Sequence, residues 1–259
     1  MMQKPQKNLS KEKSINKNNI NSASKTWLQL INYLLSGETI SPRGLETKEQ
    51  ICVGTKINMY EPMVNIKSRN IGERFRYAEA AWILSGDNRV STIAPKVVDQ
   101  LPYIIQTLKD DPYTRQAVLN IWRENPRKSN DVPCTLSLQF VIRNDTLNCL
   151  ATMRSSDAWL GWVYDVFNFS MISLYVLLQL KSQHNLKYKL GSLFLTAGSQ
   201  HLYKEQWDKA KICTEKSDYF EDTKSPVSLK NGEELIDYLW AKAKEISEKD
   251  KDQLILSGV

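Results

Sequence analysis

The chain has 259 residues, of which 41% are hydrophobic, and a formal net charge of +6. This length and composition suit one large domain with a substantial core, and no apolar run approaches the roughly 20 residues of a membrane span. The four cysteines have neither CxxC spacing nor paired histidines nearby, which argues against a structural zinc site or another bound metal.

Most of the net charge lies in an N-terminal tail. Residues 1–25 contain six lysines and one acid, Glu12, so the rest of the chain is close to neutral. Residues 1–24 have few apolar anchors and are predicted to be disordered, ahead of a single domain over 25–259. Tails of this composition are more often solvated than bound to nucleic acid, so we expect neither a nucleic-acid nor a membrane partner. The absence of an apolar signal segment indicates a cytoplasmic protein, in the host cytoplasm if the chain is viral.

The hydrophobic pattern predicts the elements in chain order. Helices are predicted from Trp27 to Gly37, over 72–84, over 94–109, from after Asp157 to about Leu180, and over 233–247. Strands are predicted at 50–53, 57–60, 117–122, 136–143, 146–153 and 191–197, with a hairpin turn at Asn144-Asp145. Strands clustered in mid-chain with helices on both sides indicate an α+β domain, in which helices cover one sheet.

Cys134 is a candidate nucleophile. It follows a proline directly before a predicted strand, so its side chain can lie at a sheet end and face a cleft. A cysteine attacks as its thiolate, and the ordinary thiol pKa of about 8.5 has to be lowered by a nearby cation. Arg154, one hairpin away, can supply that charge. Taken alone, a cysteine in this setting is more typical of a small buried hydrophobic residue.

Four segments in a fixed order change that interpretation. They are 77–87 (YAEAAWILSGD), 108–116 (LKDDPYTRQ), Cys134 with 154–165 (RSSDAWLGWVYD), and 198–203 (GSQHLY). In order and spacing they resemble the core of the thymidylate synthase family over about residues 40–210. The resemblance implies an α/β fold with a large mixed sheet, one face of which forms the interface of a homodimer. It also implies alkylation at C5 of a pyrimidine nucleoside monophosphate, with 5,10-methylenetetrahydrofolate as co-substrate.

The resemblance assigns roles residue by residue. Cys134 matches the nucleophile that adds to C6, and Glu79 matches a glutamate that manages protons through water. The residues that match phosphate ligands are Arg43, Arg154, Ser155 and, from the partner subunit, Arg115. The residues that match sugar ligands are His201 and Tyr203. Asp157 and Gly161 match residues that line the base and folate site, with Glu79 and Trp82 on the folate side. In isolation Glu79 is equally a solvated helix residue and His201 a core histidine, but together with the other matches they indicate a site.

Asp165 departs from the family pattern, which has an asparagine that reads uracil. A carboxylate accepts from N4 of cytosine, and with a shared proton it also serves N3, whereas against O4 of uracil it sets acceptor against acceptor. An unmatched buried polar contact costs about 1 to 3 kcal/mol, so cytosine is favoured. Asp165 also resembles the aspartate of the phage deoxycytidylate hydroxymethylases, which serve DNA modification.

Other departures concern the folate pocket. Thr135 stands where the family usually has histidine, and Gln116 replaces the second arginine of an Arg-Arg pair. The segment 90–101 lacks the expected tryptophan and Tyr-Gly, and the C-terminal part lacks Gly-Tyr-x-Pro-His-Pro. Hydride transfer from folate needs a tightly closed, dry site, so these losses favour water as the final nucleophile.

The sequence therefore predicts a hydroxymethylase that converts dCMP to 5-hydroxymethyl-dCMP. Three alternatives stay open at this point. The substrate can be dUMP, with methyl or hydroxymethyl as the product, or the ribonucleotide CMP. A non-catalytic homologue that binds nucleotide or nucleic acid is the third, and the retention of Cys134, Glu79 and Arg154 together argues against it.

Overall fold

A computed structural model describes residues 21–89, 93–123, 125, 132–220 and 223–256. Residues 1–20 of the predicted tail lie outside this range. Residues 21–24, which the sequence analysis assigned to the tail, belong to the fold: Asn21 bridges to Ile57, and the side chain of Ser22 caps the first helix by accepting from the backbone N–H of Lys25. Ala23 is fully buried. The domain boundary therefore precedes the predicted one.

One six-stranded mixed sheet organises the domain, as the α+β prediction required. The strands are β1 (Glu38–Ile40), β2 (Thr47–Asn58), β3 (Val118–Asn120), β4 (Thr135–Arg143), β5 (Thr146–Asp157) and β6 (Lys189–Tyr203). Their spatial order is β1-β2-β6-β5-β4-β3, and every neighbouring pair is antiparallel except β5 and β6. The parallel pair requires a crossover, which a long helix supplies.

The described residues form six α-helices. They are α1 (Ala23–Leu35), α2 (Glu73–Ser85), α3 (Ile93–Asp110), α4 (Trp162–His184), α5 (Trp207–Lys216) and α6 (Gly232–Leu256). In α1 the residues Trp27, Ile31 and Leu34 are buried, which is the spacing of an amphipathic helix facing a core. α2 packs against α3, α4 and α6, whereas α1 packs against β2.

Helix α4 is the crossover between β5 and β6 and the centre of the core. It is long and apolar enough to cross a membrane, contrary to the expectation that no segment reaches that length. However, 83% of its most apolar window is buried inside the protein. Helices buried on most sides are apolar all round, so the composition of α4 reflects its central position.

Strand β2 is continuous, although the sequence analysis predicted two short pieces. Cys52 has a left-handed backbone with φ 55° and is passed over in the pairing of β2 with β6. Gly198 opposite is passed over as well, so the register is unchanged, but Ile51 and Cys52 are both exposed and the period-two pattern breaks in mid-strand. The predicted strand 117–122 is shorter than expected, only Val118–Asn120.

One face of the sheet is not covered by α4. Phe194 and Val118 alternate with buried residues of their strands and are each 38% exposed, and Ile51 of β2 is 70% exposed. The C-terminal ends of β5 and β6, at Asp157 and Tyr203, belong to the same sheet.

Candidate active site

Cys134 lies at the end of the sheet, directly before β4, and its side chain is exposed. Arg154 on the neighbouring strand clamps the segment that carries it. The guanidinium donates to the carbonyls of Val132 at 2.6 Å and Pro133 at 3.0 Å, and the Arg154 backbone N–H donates to the carbonyl of Cys134 at 2.9 Å. The hydroxyl of Ser155 donates to the Cys134 sulfur at 3.6 Å. Arg154 keeps further N–H donors for an anion.

Three carboxyl groups converge beside the first turn of α4. Asp165 is half-buried, and burial together with the charges of Glu79 and Asp157 raises the pKa of Asp165 to about 8. Burial also raises the pKa of Glu79, whose Oε2 accepts from the amide of Asn168 at 2.8 Å. Within the described part of the chain, Asp165 makes no side-chain hydrogen bond. It is a protonated carboxyl at neutral pH that is free to pair with a ligand.

The turn between β5 and α4 fixes two more predicted residues. Asp157 Oδ1 accepts from the backbone N–H groups of Trp159 at 2.7 Å and Leu160 at 3.0 Å, so the carboxylate holds its own turn closed. Gly161 packs tightly, because a Cβ there would lie 3.4 Å from the Asp157 carbonyl and 3.4 Å from Asp165 Oδ2. A larger residue at this position would press on the Asp165 carboxyl.

His201 and Tyr203 lie side by side at the end of β6. Their rings meet edge to face at 5.2 Å, and His201 is the register partner of Asp157 on β5. Burial lowers the pKa of His201, while Asp157 and Glu49 act in the opposite direction. Nδ1 of His201 is buried without a partner in the described residues. A neutral imidazole beside a phenol suits a hydroxyl ligand.

Arg43 occupies a turn at the same end of the sheet. Its backbone is left-handed with φ 54°, and its side chain is exposed. The turn leads into Glu46, whose carbonyl accepts from the N–H of Lys204 at 3.0 Å, directly after Tyr203. Arg43 therefore lies near the site, but no contact joins it to Arg154 or Ser155.

Two predicted residues are not brought to Cys134. The indole of Trp82 donates to the carbonyl of Asp87 at 2.7 Å and so stabilises the end of α2. Arg115 is exposed, and its carbonyl accepts from Gln139 at 2.8 Å, five residues along β4 from Cys134. At ~3.3 Å per residue that is roughly 16 Å. The backbone of Arg115 is therefore distant from Cys134 of the same chain.

The thymidylate synthase family profile matches residues 56–240, more than two thirds of the chain. The chain belongs to the thymidylate synthase family. The thymidylate synthase of Buchnera aphidicola subsp. Baizongia pistaciae is 30% identical over 117 residues, which are 45% of this chain and 42% of that protein. The thymidylate synthase of Varicella-zoster virus is 25% identical over 157 residues, which are 58% of this chain and 45% of that protein. The chain thus matches less than half the length of either relative.

The supports of this thymidylate synthase-family site were not found from the sequence. Trp27 of α1 donates its indole N–H to the carbonyl of Ala158 at 2.7 Å. Arg69 donates to the carbonyl of Trp159 at 2.6 Å, and its guanidinium lies 4.1 Å from the centre of that ring. Both side chains hold the turn that carries Asp157. Trp27 comes from the distant helix α1, and Arg69 comes from a distant short 3₁₀ turn. A lone polar residue in an apolar stretch is a sequence signal for such a support, and Asn168 in α4, which contacts Glu79, is an example that the sequence analysis did not single out.

A shallow cavity of about 480 Å³ adjoins the site. Leu160 and Tyr203 line its inner side, and Leu45 and Gln206 lie around it. This volume is in the range of small-molecule pockets, and the exposed Leu160 supplies an apolar wall for a flat ring. This lining suits a flat ring system of the kind that a folate carries. Among the described residues there is no group of three or more His, Cys, Asp or Glu side chains that can hold a metal ion.

Proposed function

We propose that this protein is a cytoplasmic, folate-dependent hydroxymethylase that converts dCMP to 5-hydroxymethyl-dCMP. The single observation that carries the proposal is Asp165, a half-buried carboxyl without an internal partner whose pKa is raised to about 8. The family fold supports the broader chemistry, which is one-carbon transfer to C5 of a pyrimidine nucleotide.

Asp165 suits cytosine because it can transfer a proton. When a thiolate adds to C6 of cytosine, negative charge develops on N3, and a protonated carboxyl can donate to that nitrogen while it accepts from N4. An amide can donate a hydrogen bond to N3 but cannot give up a proton. Uracil places the corresponding charge on O4, where a hydrogen-bond donor is sufficient. The proton on Asp165 is therefore a requirement of cytosine chemistry.

The remaining residues have roles that follow from their chemistry. Arg154 and Ser155, with Arg43 and the Arg115 of a second copy, bind the phosphate through charge-assisted hydrogen bonds. His201 and Tyr203 receive the sugar hydroxyl. Cys134 attacks C6, which makes C5 nucleophilic. 5,10-Methylenetetrahydrofolate, held near Gly161, Asp157 and the adjoining cavity, supplies the one-carbon unit, and Glu79 moves protons at the transferred carbon.

A homodimer is part of the proposal. The uncovered sheet face exposes apolar residues, and the backbone of Arg115 lies beside Gln139 of β4, roughly 16 Å along the strand from Cys134 of its own chain. A second copy packed on this face would bury the apolar residues and bring its Arg115 to the first site.

The decisive experiment identifies products by mass spectrometry. Purified protein is incubated with 5,10-methylenetetrahydrofolate and dCMP, CMP or dUMP, and dihydrofolate is followed by absorbance. We expect 5-hydroxymethyl-dCMP from dCMP without dihydrofolate, and Asp165→Asn should shift the preference from dCMP toward dUMP by at least about tenfold. If dihydrofolate forms in step with product, the product is the methylated nucleotide, and the proposed hydroxymethylation is wrong.

Thymidylate synthesis from dUMP is the second candidate. It is favoured by the two relatives, which are both thymidylate synthases. The protonated form of Asp165 can donate to O4 of uracil, so the dUMP incubation tests this candidate directly. Equal turnover of dUMP and dCMP would contradict the role given to Asp165.

A further inference from the structure

Asn168 is an isolated amide in the most apolar helix of the protein. It lies in α4 between Phe167 and Phe169, three residues after Asp165, and its side chain is 4% exposed. A buried amide in such surroundings is unfavourable unless its donors and its acceptor are paired. Its presence in this helix therefore calls for specific partners.

One end of the Asn168 amide has a partner, and the other end has none among the described residues. Nδ2 donates to Oε2 of Glu79 at 2.8 Å and so joins α4 to α2. Oδ1 is buried and accepts no hydrogen bond from the described residues. Buried acceptors in folded proteins are nearly always paired, with water where protein donors are lacking. Oδ1 is thus positioned to accept from a small donor beside Glu79.

The surroundings of Glu79 make this contact matter. Burial raises the pKa of Glu79, and the hydrogen bond from Asn168 lowers it. The other carboxyls on this side are Asp165 and Asp157. From α6, the charged groups Glu245 and Lys242 lie toward Tyr77 and Glu73 on α2. Asn168 is the group that favours the ionised form of Glu79.

We propose that Asn168 is a positioning residue for hydration: Nδ2 anchors Glu79, and Oδ1 orients the water that Glu79 deprotonates. This inference rests on the proposed hydroxymethylase function. It adds a residue to that reaction and connects the choice of water over hydride to one amide on α4.

Transfer of the one-carbon unit to C5 and loss of tetrahydrofolate would leave an exocyclic methylene group on C5, and water would hydrate it. The oxygen of water bonds to the exocyclic methylene carbon on C5, and the proton of water passes to Glu79. The displaced electron pair moves through C5 and C4 to N3. It then returns toward C5–C6 as the C6–S bond breaks, which releases the thiolate of Cys134 and the hydroxymethyl product.

The test compares Asn168→Leu, which keeps the volume and removes both polar ends, with Asn168→Ser, which retains a donor and an acceptor. Gln179→Leu is the matched control, since Gln179 is another buried amide of α4 and donates to Tyr175 and Glu233, away from the site. The titration of Glu79 is measured without ligands, by NMR of protein labelled with carbon-13 at the glutamate carboxyl and assigned with Glu79→Gln. Steady-state kinetics with dCMP give kcat, KM and the pH profile.

We expect Asn168→Leu to move the Glu79 titration upward by about one pH unit. It should lower kcat at least about tenfold with KM for dCMP changed less than about twofold, and shift the acidic limb of the kcat profile by the same amount as the titration. Asn168→Ser should restore most of both effects, and Gln179→Leu should leave them unchanged.

The proposal is overturned if Asn168→Leu titrates and turns over like the Gln179→Leu control, since Asn168 would then be a packing residue. If Asn168→Leu does not fold, Asn168→Ala, which also removes both polar ends, takes its place, and an Ala variant that matches wild type in both the titration and the pH profile overturns the proposal equally. Failure of wild type to form 5-hydroxymethyl-dCMP contradicts the proposed function instead, and leaves the ligand-free titration as an independent result.

Discussion

At the scale of single residues, Asp165 combines a functional requirement with a cost in stability. The folded protein holds its proton up to pH about 8, whereas the ordinary Asp pKa is 3.8. Folding thus keeps a proton that the unfolded chain releases, so the contribution of this carboxyl to stability is complete below pH 3.8 and is lost as pH rises toward 8. Active-site groups commonly carry such a cost.

Asp165→Asn should remove this pH dependence. The amide does not titrate, so we expect the variant to unfold at higher denaturant concentration than wild type, with a difference that grows between pH 4 and 8 by up to about 1.4 kcal/mol per pH unit. The measurement is urea unfolding followed by circular dichroism at several pH values. Asp208→Asn on α5, whose side chain is 97% exposed, is the control and should follow wild type. A difference independent of pH would contradict the raised pKa.

Cys134 is expected to act in chemistry and not in binding. Cys134→Ser should abolish product formation while the dissociation constant for dCMP changes less than about threefold, because phosphate and sugar are held by other residues. Isothermal titration calorimetry and the product assay separate the two effects. Cys52→Ser, a change at the other exposed cysteine, should leave turnover intact. Product from Cys134→Ser would exclude covalent catalysis by this thiol.

At this scale, the sequence predicted the residues that share a hairpin but missed those that join distant elements. Cys134, Arg154 and Ser155 meet because β4 and β5 are adjacent antiparallel strands. The contact of Asn168 with Glu79, which are 89 positions apart in the sequence, depends on how α4 packs against α2. Local periodicity carries no information on such packing.

At the scale of elements, the β4–β5 hairpin was the most predictable part of the fold. Asn144 and Asp145 both have positive φ, 50° and 55°, as a two-residue turn of type I′ requires. By contrast, β5 and β6 extend beyond their predicted ends. Their final residues, Arg154 to Asp157 and 198–203, are polar site residues, so the apolar alternation that marks a strand disappears where the strands serve the site.

Asp145→Gly should stabilise this hairpin. Glycine adopts positive φ without the steric cost that an L side chain incurs, so the free energy of unfolding should rise by about 0.5 to 1 kcal/mol. Asp145→Val should lower it by at least as much, since a β-branched residue strongly disfavours this conformation. Thermal unfolding of both variants provides the comparison. Equal melting temperatures would mean that the turn relaxes to another type.

At the scale of the whole molecule, the proposed homodimer would complete the site of each chain. The thiol, the acids and the pair of His201 and Tyr203 lie together, whereas the backbone of Arg115 lies beside Gln139 of β4, five residues from Cys134. We propose the sheet face that exposes Ile51 and Phe194 as the dimer interface, because exposed apolar patches commonly mark interaction sites. Ile51→Lys should therefore shift the protein toward monomers in sedimentation velocity, whereas Tyr33→Lys, also an exposed position but on α1, should not.

Mixing two inactive variants tests whether subunits share sites. Cys134→Ser lacks the nucleophile, and Arg115→Ala lacks the phosphate ligand that its partner needs. A heterodimer of the two contains one site with an intact Cys134 and an intact Arg115 from the other subunit, so random exchange should restore about a quarter of wild-type sites. The assay is dCMP turnover after denaturation and joint refolding, with each variant refolded alone as control. If heterodimers are detected by native mass spectrometry but no activity returns, Arg115 does not act in the partner's site. In that case one site of each heterodimer lacks Cys134 and the other lacks its own Arg115, so both are inactive.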